Sequence, residues 1–194
     1  MKDYKIFGIA GTMASGKDTI GNYLAREHDF LFVSVSEILR DEARSRGQST
    51  SRKVLRAISA EWRREHGYAV LVDKAVAVFE AGGHGKQHLA IASIRHPSET
   101  DRIHELGGIQ IWTDADQHIR FDRVHQNDRG RPDEDNRTFE QFKADEAAEA
   151  THEGDGATLN FMAVKPKADT TVYNDNNDIA DFEQKAHERL KDHL

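Results

Sequence analysis

Gly11-Thr12-Met13-Ala14-Ser15-Gly16-Lys17-Asp18-Thr19 has the spacing G-x-x-x-x-G-K. The residues on either side decide how to read it. Lys5-Ile6-Phe7-Gly8-Ile9-Ala10 is a short apolar run that ends in the glycine turn, as a buried strand does. Asp18 to His28 carries Ile20 and Leu24 four apart, the spacing of one helical face. A glycine loop between a strand and a helix is built to hold phosphate. Glycines let successive backbone N–H groups curl inward toward phosphate oxygens. The helix N-terminus adds partial positive charge, and Lys17 reaches the β- and γ-phosphates as a compact cation. The bland alternative, a flexible turn with a surface lysine, does not explain the strand and helix that frame it. Donor-phosphate contacts are therefore expected at Gly11, Ala14, Ser15, Gly16, Lys17, Asp18 and Thr19. Asp18 stands where a Ser or Thr hydroxyl usually ligates Mg²⁺, and Thr19 lies one position too late to replace it. The Asp18 carboxylate is a hard oxygen ligand suited to Mg²⁺. Its other reading is a favourable charge at the helix N-terminus.

Outward from this loop, strand and helix periods alternate, which predicts an α/β fold with a mainly parallel sheet. Further strands are expected at Phe30–Val33, His88–Ile94, Ile109–Trp112 and Thr170–Tyr173, for five in all. Helices are expected at Ser34–Arg46, Arg52–His66 and Tyr68–Ala81, then from Pro97 and around Ile119–Val124. Pairs spaced as capping boxes occur at Ser34/Glu37, Thr113/Asp116 and Thr138/Gln141. Leu55, Ile58 and Trp62 share one helix face, as do Leu71, Ala75 and Val78. Asp178 starts a terminal helix with Ile179, Phe182, Ala186 and Leu190 inward. Asn127–Asn136 reads as an irregular polar loop, and Gly154–Lys167 gives little pattern. No repeat or linker divides residues 1–194, so a single domain is expected.

Composition narrows the class. The 194 residues carry 27 Lys and Arg against 34 Asp and Glu, a net charge of −7. That balance gives no global attraction to a nucleic-acid polymer or an anionic membrane. The chain has no cysteine, so a disulfide scaffold, a thiolate zinc site and a thiol nucleophile are excluded. No apolar run approaches the roughly 20 residues that span a bilayer, and the charged start does not resemble a signal peptide. The expectation is a soluble, cytoplasmic protein.

The loop ending Gly-Lys-Asp-Thr resembles that of phage deoxynucleoside monophosphate kinases. From Ile6 to Leu190 the chain is similar to predicted nucleotide kinases related to adenylate kinase and dephospho-CoA kinase. Four other stretches carry the resemblance. Ser34-Val35-Ser36-Glu37-Ile38-Leu39-Arg40 looks like the start of the acceptor-binding helices. Ile94-Arg95-His96-Pro97-Ser98-Glu99 is similar to the family's strand-end arginine followed by Pro/Ser-x-Glu. Arg120-Phe121-Asp122-Arg123 with Asp128-Arg129-Gly130-Arg131 looks like the arginine-bearing lid. Ala168-Asp169-Thr170-Thr171-Val172-Tyr173-Asn174 resembles the last strand, whose end borders adenine. The resemblance implies a three-layer P-loop nucleoside monophosphate kinase-like fold, a helical acceptor region over about 35–82 and a lid over about 125–155. It departs from the family at Ile91-Ala92-Ser93-Ile94-Arg95, where relatives usually carry an acid. It departs again at Val33-Ser34, where dephospho-CoA kinases tend to have an Asp.

These residues take expected roles from their chemistry and, for Asn174 at the end of the last strand, from the resemblance. Guanidinium forks stabilise the charge that phosphoryl transfer spreads over the moving group. Arg123 and Arg131, with Lys17 and Arg95, are the candidate catalytic residues, and Arg129 and Asn174 are candidate ATP contacts. Asp122, Asp128, Asp133, Glu134 and Asp135 are interleaved with the lid arginines, which would equally suit a self-neutralised surface loop. Arg40 and Arg95 would clamp the acceptor, with Arg63 a weaker third that reads better as an exposed helix arginine. Glu37 is an acceptor-side candidate but is also explained as the capping partner of Ser34. The eleven histidines show no ligand spacing, and Trp62 and Trp112 read as core. The implied activity is transfer from ATP, with Mg²⁺, to a small-molecule acceptor, a nucleoside or deoxynucleoside monophosphate first and dephospho-CoA second. A nucleotide-binding regulatory ATPase without an acceptor is the rival from another class. No Asn-Lys-x-Asp segment marks guanine.

Overall fold

The computed structural model describes residues 4–126, 138–150 and 155–194. The elements run β1 (Ile6–Gly11), α1 (Lys17–Glu27), β2 (Phe30–Ser34), α2 (Val35–Ser45), α3 (Arg52–His66), α4 (Val70–Glu80), β3 (His88–Ile94), α5 (Pro97–Glu105) and β4 (Ile109–Asp114). They continue with α6 (Gln117–Gln126), α7 (Phe139–Ala150), β5 (Thr170–Tyr173) and α8 (Ile179–Leu190). Among the described residues the sheet has five strands in the order β2-β3-β1-β4-β5. Every pairing is parallel, so each connection must cross over through helix. This is the α/β architecture with a five-stranded parallel sheet read from the sequence. Among the described residues no helix is long and apolar enough to cross a membrane.

Both faces of the sheet are covered, which is why its strands are near-continuous apolar runs rather than alternating ones. Side-chain alternation along β1 divides the core in two. Ile6 and Ala10 pack with Leu39, Ile58, Trp62, Leu71 and Ile103, contributed by α2, α3, α4 and α5. Phe7 and Ile9 pack with Ile20 and Leu24 of α1 and Phe182, Ala186 and Leu190 of α8. β1 pairs with β3 through Ile6↔Leu89 and with β4 through Phe7↔Ile109. The strand order therefore reverses direction at β1, and ligands of open α/β sheets bind at the carboxyl end of such a switch point.

Several local expectations change. Ser34 does cap α2, but no side-chain capping bond forms; Glu37 turns instead to an ion pair with Arg40. Thr113 lies inside β4, paired to Gly11 and Val172, so the sheet takes the residue that local spacing assigned to a cap. Asp116 alone then accepts from the His118 and Ile119 amides. Thr138 and Gln141 do form reciprocal capping bonds of 2.9 and 3.2 Å. A capping box absent from the sequence reading opens α5, where His96 and Glu99 cap each other's ends behind Pro97. Val78 and Ile179 are exposed rather than inward. The unpatterned stretch before β5 holds two 3₁₀ turns, Phe161–Ala163 and Lys165–Lys167, with Phe161 stacked on Trp112. The loop 127–136 and Arg137 lie outside the described residues.

Candidate functional site

The backbone of the glycine loop is shaped before any ligand arrives. Gly11 has φ +147° and Gly16 φ +101°. A Cβ on Gly11 would meet the Thr113 carbonyl oxygen at 2.1 Å, and one on Gly16 would meet Asn174 Nδ2 at 2.6 Å and Phe182 at 2.7 Å. Only glycine lets the loop curl this tightly against β4, Asn174 and α8. Ala14 also sits in the left-handed region, at φ +58°, a strain of about 1 kcal/mol or more that functional loops retain. Gly16 caps α1 without a side-chain hydrogen bond, which leaves the first helical N–H groups facing outward for an anion.

The walls of the loop are fixed by polar contacts. The Ser15 hydroxyl is fully buried. It donates to the Thr12 carbonyl at 2.8 Å and shares a 2.6 Å bond with Thr113 Oγ1. Ser15 therefore contributes to the loop's frame through its side chain. Asn174 Nδ2 donates to the Ser15 carbonyl at 3.1 Å, and the Asn174 backbone amide donates to the Asp114 carbonyl at 2.8 Å. The end of β5 is thus tied to the phosphate loop. Lys17 Nζ donates to the Gly11 and Thr12 carbonyls at 3.0 and 2.6 Å.

Two groups the sequence reading did not single out brace this loop. Asp114, at the carboxyl end of β4, accepts from Thr12 Oγ1 at 3.1 Å, Trp112 Nε1 at 3.3 Å and Lys165 Nζ at 2.9 Å. Burial pushes the Asp114 carboxyl up, but the hydrogen bonds from Lys165 and Trp112 outweigh it and hold the pKa below the ordinary value. Glu146 of α7 grips Arg120 with both carboxylate oxygens. Arg120, 4% exposed, also donates to the Ala115 carbonyl at 2.9 Å and the Met13 carbonyl at 3.3 Å. The two helices that flank residues 127–137 are pinned to the loop through this one side chain. An acid at a strand end and a Glu on a helix of weak pattern left no motif to find them by.

A cleft of about 1180 Å³ opens beside the loop. Met13, Ala14, Gly16, Lys17, Asp18 and Thr19 border it, and so do both predicted acceptor arginines, Arg40 and Arg95. Arg52, Arg56 and Arg63 of α3 border it as well. Arg52 reaches the Met13 sulfur at 2.8 Å, so α3 touches the phosphate loop directly. On the other side stand Arg123, Asn174 and Ile179. Arg123 donates to Ala14 O at 3.3 Å, to Asn174 O and Oδ1 at 3.0 Å each and to Asn177 Oδ1 at 3.0 Å. Burial and the neighbouring Arg120 pull its pKa below the ordinary arginine value, though a guanidinium stays charged at neutral pH. Lys17, Asp18, Arg40, Arg95, Arg123 and Asn174 therefore meet at one cleft, with Glu37 at its rim beside Arg40. Arg129 and Arg131 lie outside the described residues. Arg63 reverses its expectation: it is 2% exposed and paired with Glu99 at 2.6 Å, so it is no surface arginine. Among the described residues no group of three or more His, Cys, Asp or Glu is placed to hold a metal.

Known proteins share this frame. A curated UPF0200 protein from Hyperthermus butylicus is 27% identical over 136 residues, 70% of each chain. The solved structure of TT1252 from Thermus thermophilus superposes with a TM-score of 0.60 at 16% identity, covering 100% of this chain and 99% of that one. A shikimate kinase from Bacteroides thetaiotaomicron gives 0.57 at 13% identity over 96% and 98%. At such identities these structures speak for the fold, which is that of P-loop kinases. The family described as AAA domain matches residues 8–150, a span that takes in the phosphate loop, the switch point of the sheet and the Arg120–Glu146 clasp, and the protein belongs to that family.

Proposed function

We propose that this protein transfers a phosphoryl group from ATP to a small, anionic, nucleotide-like acceptor, with nucleoside or deoxynucleoside monophosphates as the preferred class. The observation that carries this reading is the cleft wall. Arg40, Arg52, Arg56 and Arg95 face the space beside Lys17, and guanidinium forks select phosphate oxygens over neutral hydroxyls. The fold it shares with a shikimate kinase supports a small-molecule acceptor of some kind. The engagement of Glu37 supports the same class of acceptor. Glu37, the carboxylate on the acceptor side, is held by Arg40. An acceptor that already carries an anionic phosphate oxygen needs no proton removed, whereas a hydroxyl acceptor such as that of dephospho-CoA does.

In this reading the loop amides and Lys17 hold the donor phosphates, and Arg40 and Arg95 aim the acceptor oxygen at the γ-phosphorus. The new P–O bond forms as the bond to the β-phosphate oxygen breaks, and ADP leaves. Arg123 and Arg131 neutralise charge on the moving group, so the protein supplies position and electrostatics. The exposed Asp18 carboxylate next to Lys17 is a hard oxygen donor that would hold Mg²⁺, and the ion bound with ATP would neutralise the β- and γ-phosphates. The deciding experiment is ADP release from Mg-ATP across a panel of nucleoside monophosphates, dephospho-CoA and shikimate, with a no-acceptor control. Turnover only with monophosphates supports the proposal. Turnover only with dephospho-CoA moves the assignment to a hydroxyl acceptor, and turnover equal to the control means an ATPase without one.

Two variants test the roles within it. Asp18→Asn is expected to raise the Mg²⁺ concentration for half-maximal rate on the order of tenfold; an unchanged requirement reduces Asp18 to its helix-dipole role. Arg123→Ala is expected to lower kcat on the order of 10²-fold, with a smaller rise in the KM for ATP. A rise in KM with kcat preserved would mean that Arg123 binds the ground state only. The same expectation applies to Arg131.

A further inference from the structure

The face of α3 that borders the cleft carries Arg52, Arg56, Ser59 and Arg63, at the three- and four-residue steps that align side chains along one helical stripe. From Arg56 onward the stripe runs inward. Arg56 is exposed, Ser59 is 3% exposed and Arg63 is 2% exposed, so Arg63 stands at the deep end. Glu99, fully buried at the start of α5, joins this end to β3. One carboxylate oxygen accepts from Arg63 Nη2 at 2.6 Å, and the other accepts from the backbone amides of Arg95 and His96 at 2.8 and 3.1 Å. Arg63 Nη1 donates at 3.3 Å to Ser59 Oγ and to the Ala157 carbonyl. Both carboxylate oxygens are engaged, but one nitrogen of the guanidinium is not. Among the described residues, Arg63 Nε is the buried side-chain nitrogen or oxygen left without a hydrogen-bond partner. Such atoms are few in native proteins, and each costs the desolvation of a donor on a charged group.

We infer that Arg63 is a specificity residue of the acceptor subsite, its Nε donating to an anionic oxygen of the bound acceptor while Glu99 holds it and the Arg95 backbone as one unit. This rests on the reading of the cleft as an anionic-acceptor site and adds a residue to it. Three features agree. The orphan atom belongs to a residue of the cleft wall. The two arginines joined by Glu99 leave one net positive charge at the cleft floor, enough to favour an anion there. A rigid floor also loses little entropy on binding, because Glu99 has already fixed the guanidinium plane.

The test uses inorganic phosphate as the probe, titrated calorimetrically into the full-length protein saturated with Mg-ADP, so that the donor loop is filled. The KM of the best monophosphate in turnover is read alongside. Two variants separate contact from scaffolding. Arg63→Lys keeps the charge toward Glu99 but has no Nε. The pair Arg63→Met with Glu99→Gln removes both charges, so neither is left buried alone, and Gln keeps an oxygen for the Arg95 and His96 amides. Both variants should melt cooperatively and bind ADP as the parent does. The expected result is a loss on the order of tenfold in phosphate affinity and a matching rise in acceptor KM in each, with the KM for ATP unchanged. Parent-like phosphate affinity and acceptor KM in either folded variant would overturn the inference and leave the acceptor reading standing. A parent protein that neither binds phosphate beside Mg-ADP nor turns over any phosphate-bearing acceptor would overturn that reading, and the inference with it.

Discussion

Lys17→Ala is expected to lower kcat/KM by more than about 10³-fold, roughly 4 kcal/mol of transition-state stabilisation. The expectation follows from where the ammonium sits. Lys17 opens α1, and its Nζ donates to the Gly11 and Thr12 carbonyls at 3.0 and 2.6 Å. The side chain is therefore folded back across the mouth of the loop, where donor phosphates would lie. Charge on the bridging and terminal oxygens grows as the γ-phosphoryl group departs, so a fixed cation there acts more strongly on the transition state than on the ground state. Stability should change little. The loop is braced independently by Ser15, Thr113, Asp114 and Asn174, and the Thr12 carbonyl keeps the Ser15 hydroxyl as a donor. Lys17→Arg should rescue poorly, because a planar fork does not replace a compact ammonium in a tight backbone curl. ADP release and thermal melting on the same preparation check both halves. Near-normal turnover in a folded Lys17→Ala protein would refute the phosphate-loop reading.

The loop was legible in the sequence because its function is written in backbone demands that side-chain identity must meet locally. Gly11 and Gly16 adopt positive φ against neighbours that exclude a Cβ, so glycine is required at those positions by a short stretch of chain. The strands were legible for a different reason: a sheet covered on both faces turns burial into uninterrupted apolar runs. What failed depended on partners distant in sequence. Thr113 has the spacing of a cap, yet pairing with Gly11 and Val172 draws it into β4. Glu37 has the spacing of a capping partner, yet Arg40 one turn on takes it. Arg63 falls among the charged residues of α3, and periodicity alone would turn it to solvent. Its burial is set by Glu99, 36 residues later, and Glu99 was legible only as one residue of a Pro-Ser-Glu string. Asp114 and Glu146 were invisible because nothing in their surroundings distinguishes a brace from any other acid.

The second large effect is on folding, and it falls on Glu99. Glu99→Ala is expected to reduce unfolding free energy by about 3–5 kcal/mol, the range for breaking one side of a buried ion pair. The Glu99 and Arg63 side chains are 0% and 1% exposed, so solvent cannot screen the charge that remains. Removing the carboxylate strands the Arg63 guanidinium, which keeps only the neutral Ser59 hydroxyl and Ala157 carbonyl as partners. It also takes the acceptor from the Arg95 and His96 amides, undoing the cap of α5 at the point where β3 ends. For a chain of this size the loss corresponds to a fall in melting temperature of roughly 6–20 °C. Glu99→Gln separates the two contributions. It keeps an oxygen for the amides and loses the charge, so its stability should fall between the parent and Glu99→Ala. Adding Arg63→Met to Glu99→Gln should recover stability rather than lower it further, because the stranded charge leaves with its partner. Urea denaturation of these four proteins and of Arg63→Met alone measures this coupling. A Glu99→Ala loss below about 1 kcal/mol would place the pair among exposed ion pairs of little worth, and its burial would then have no energetic consequence.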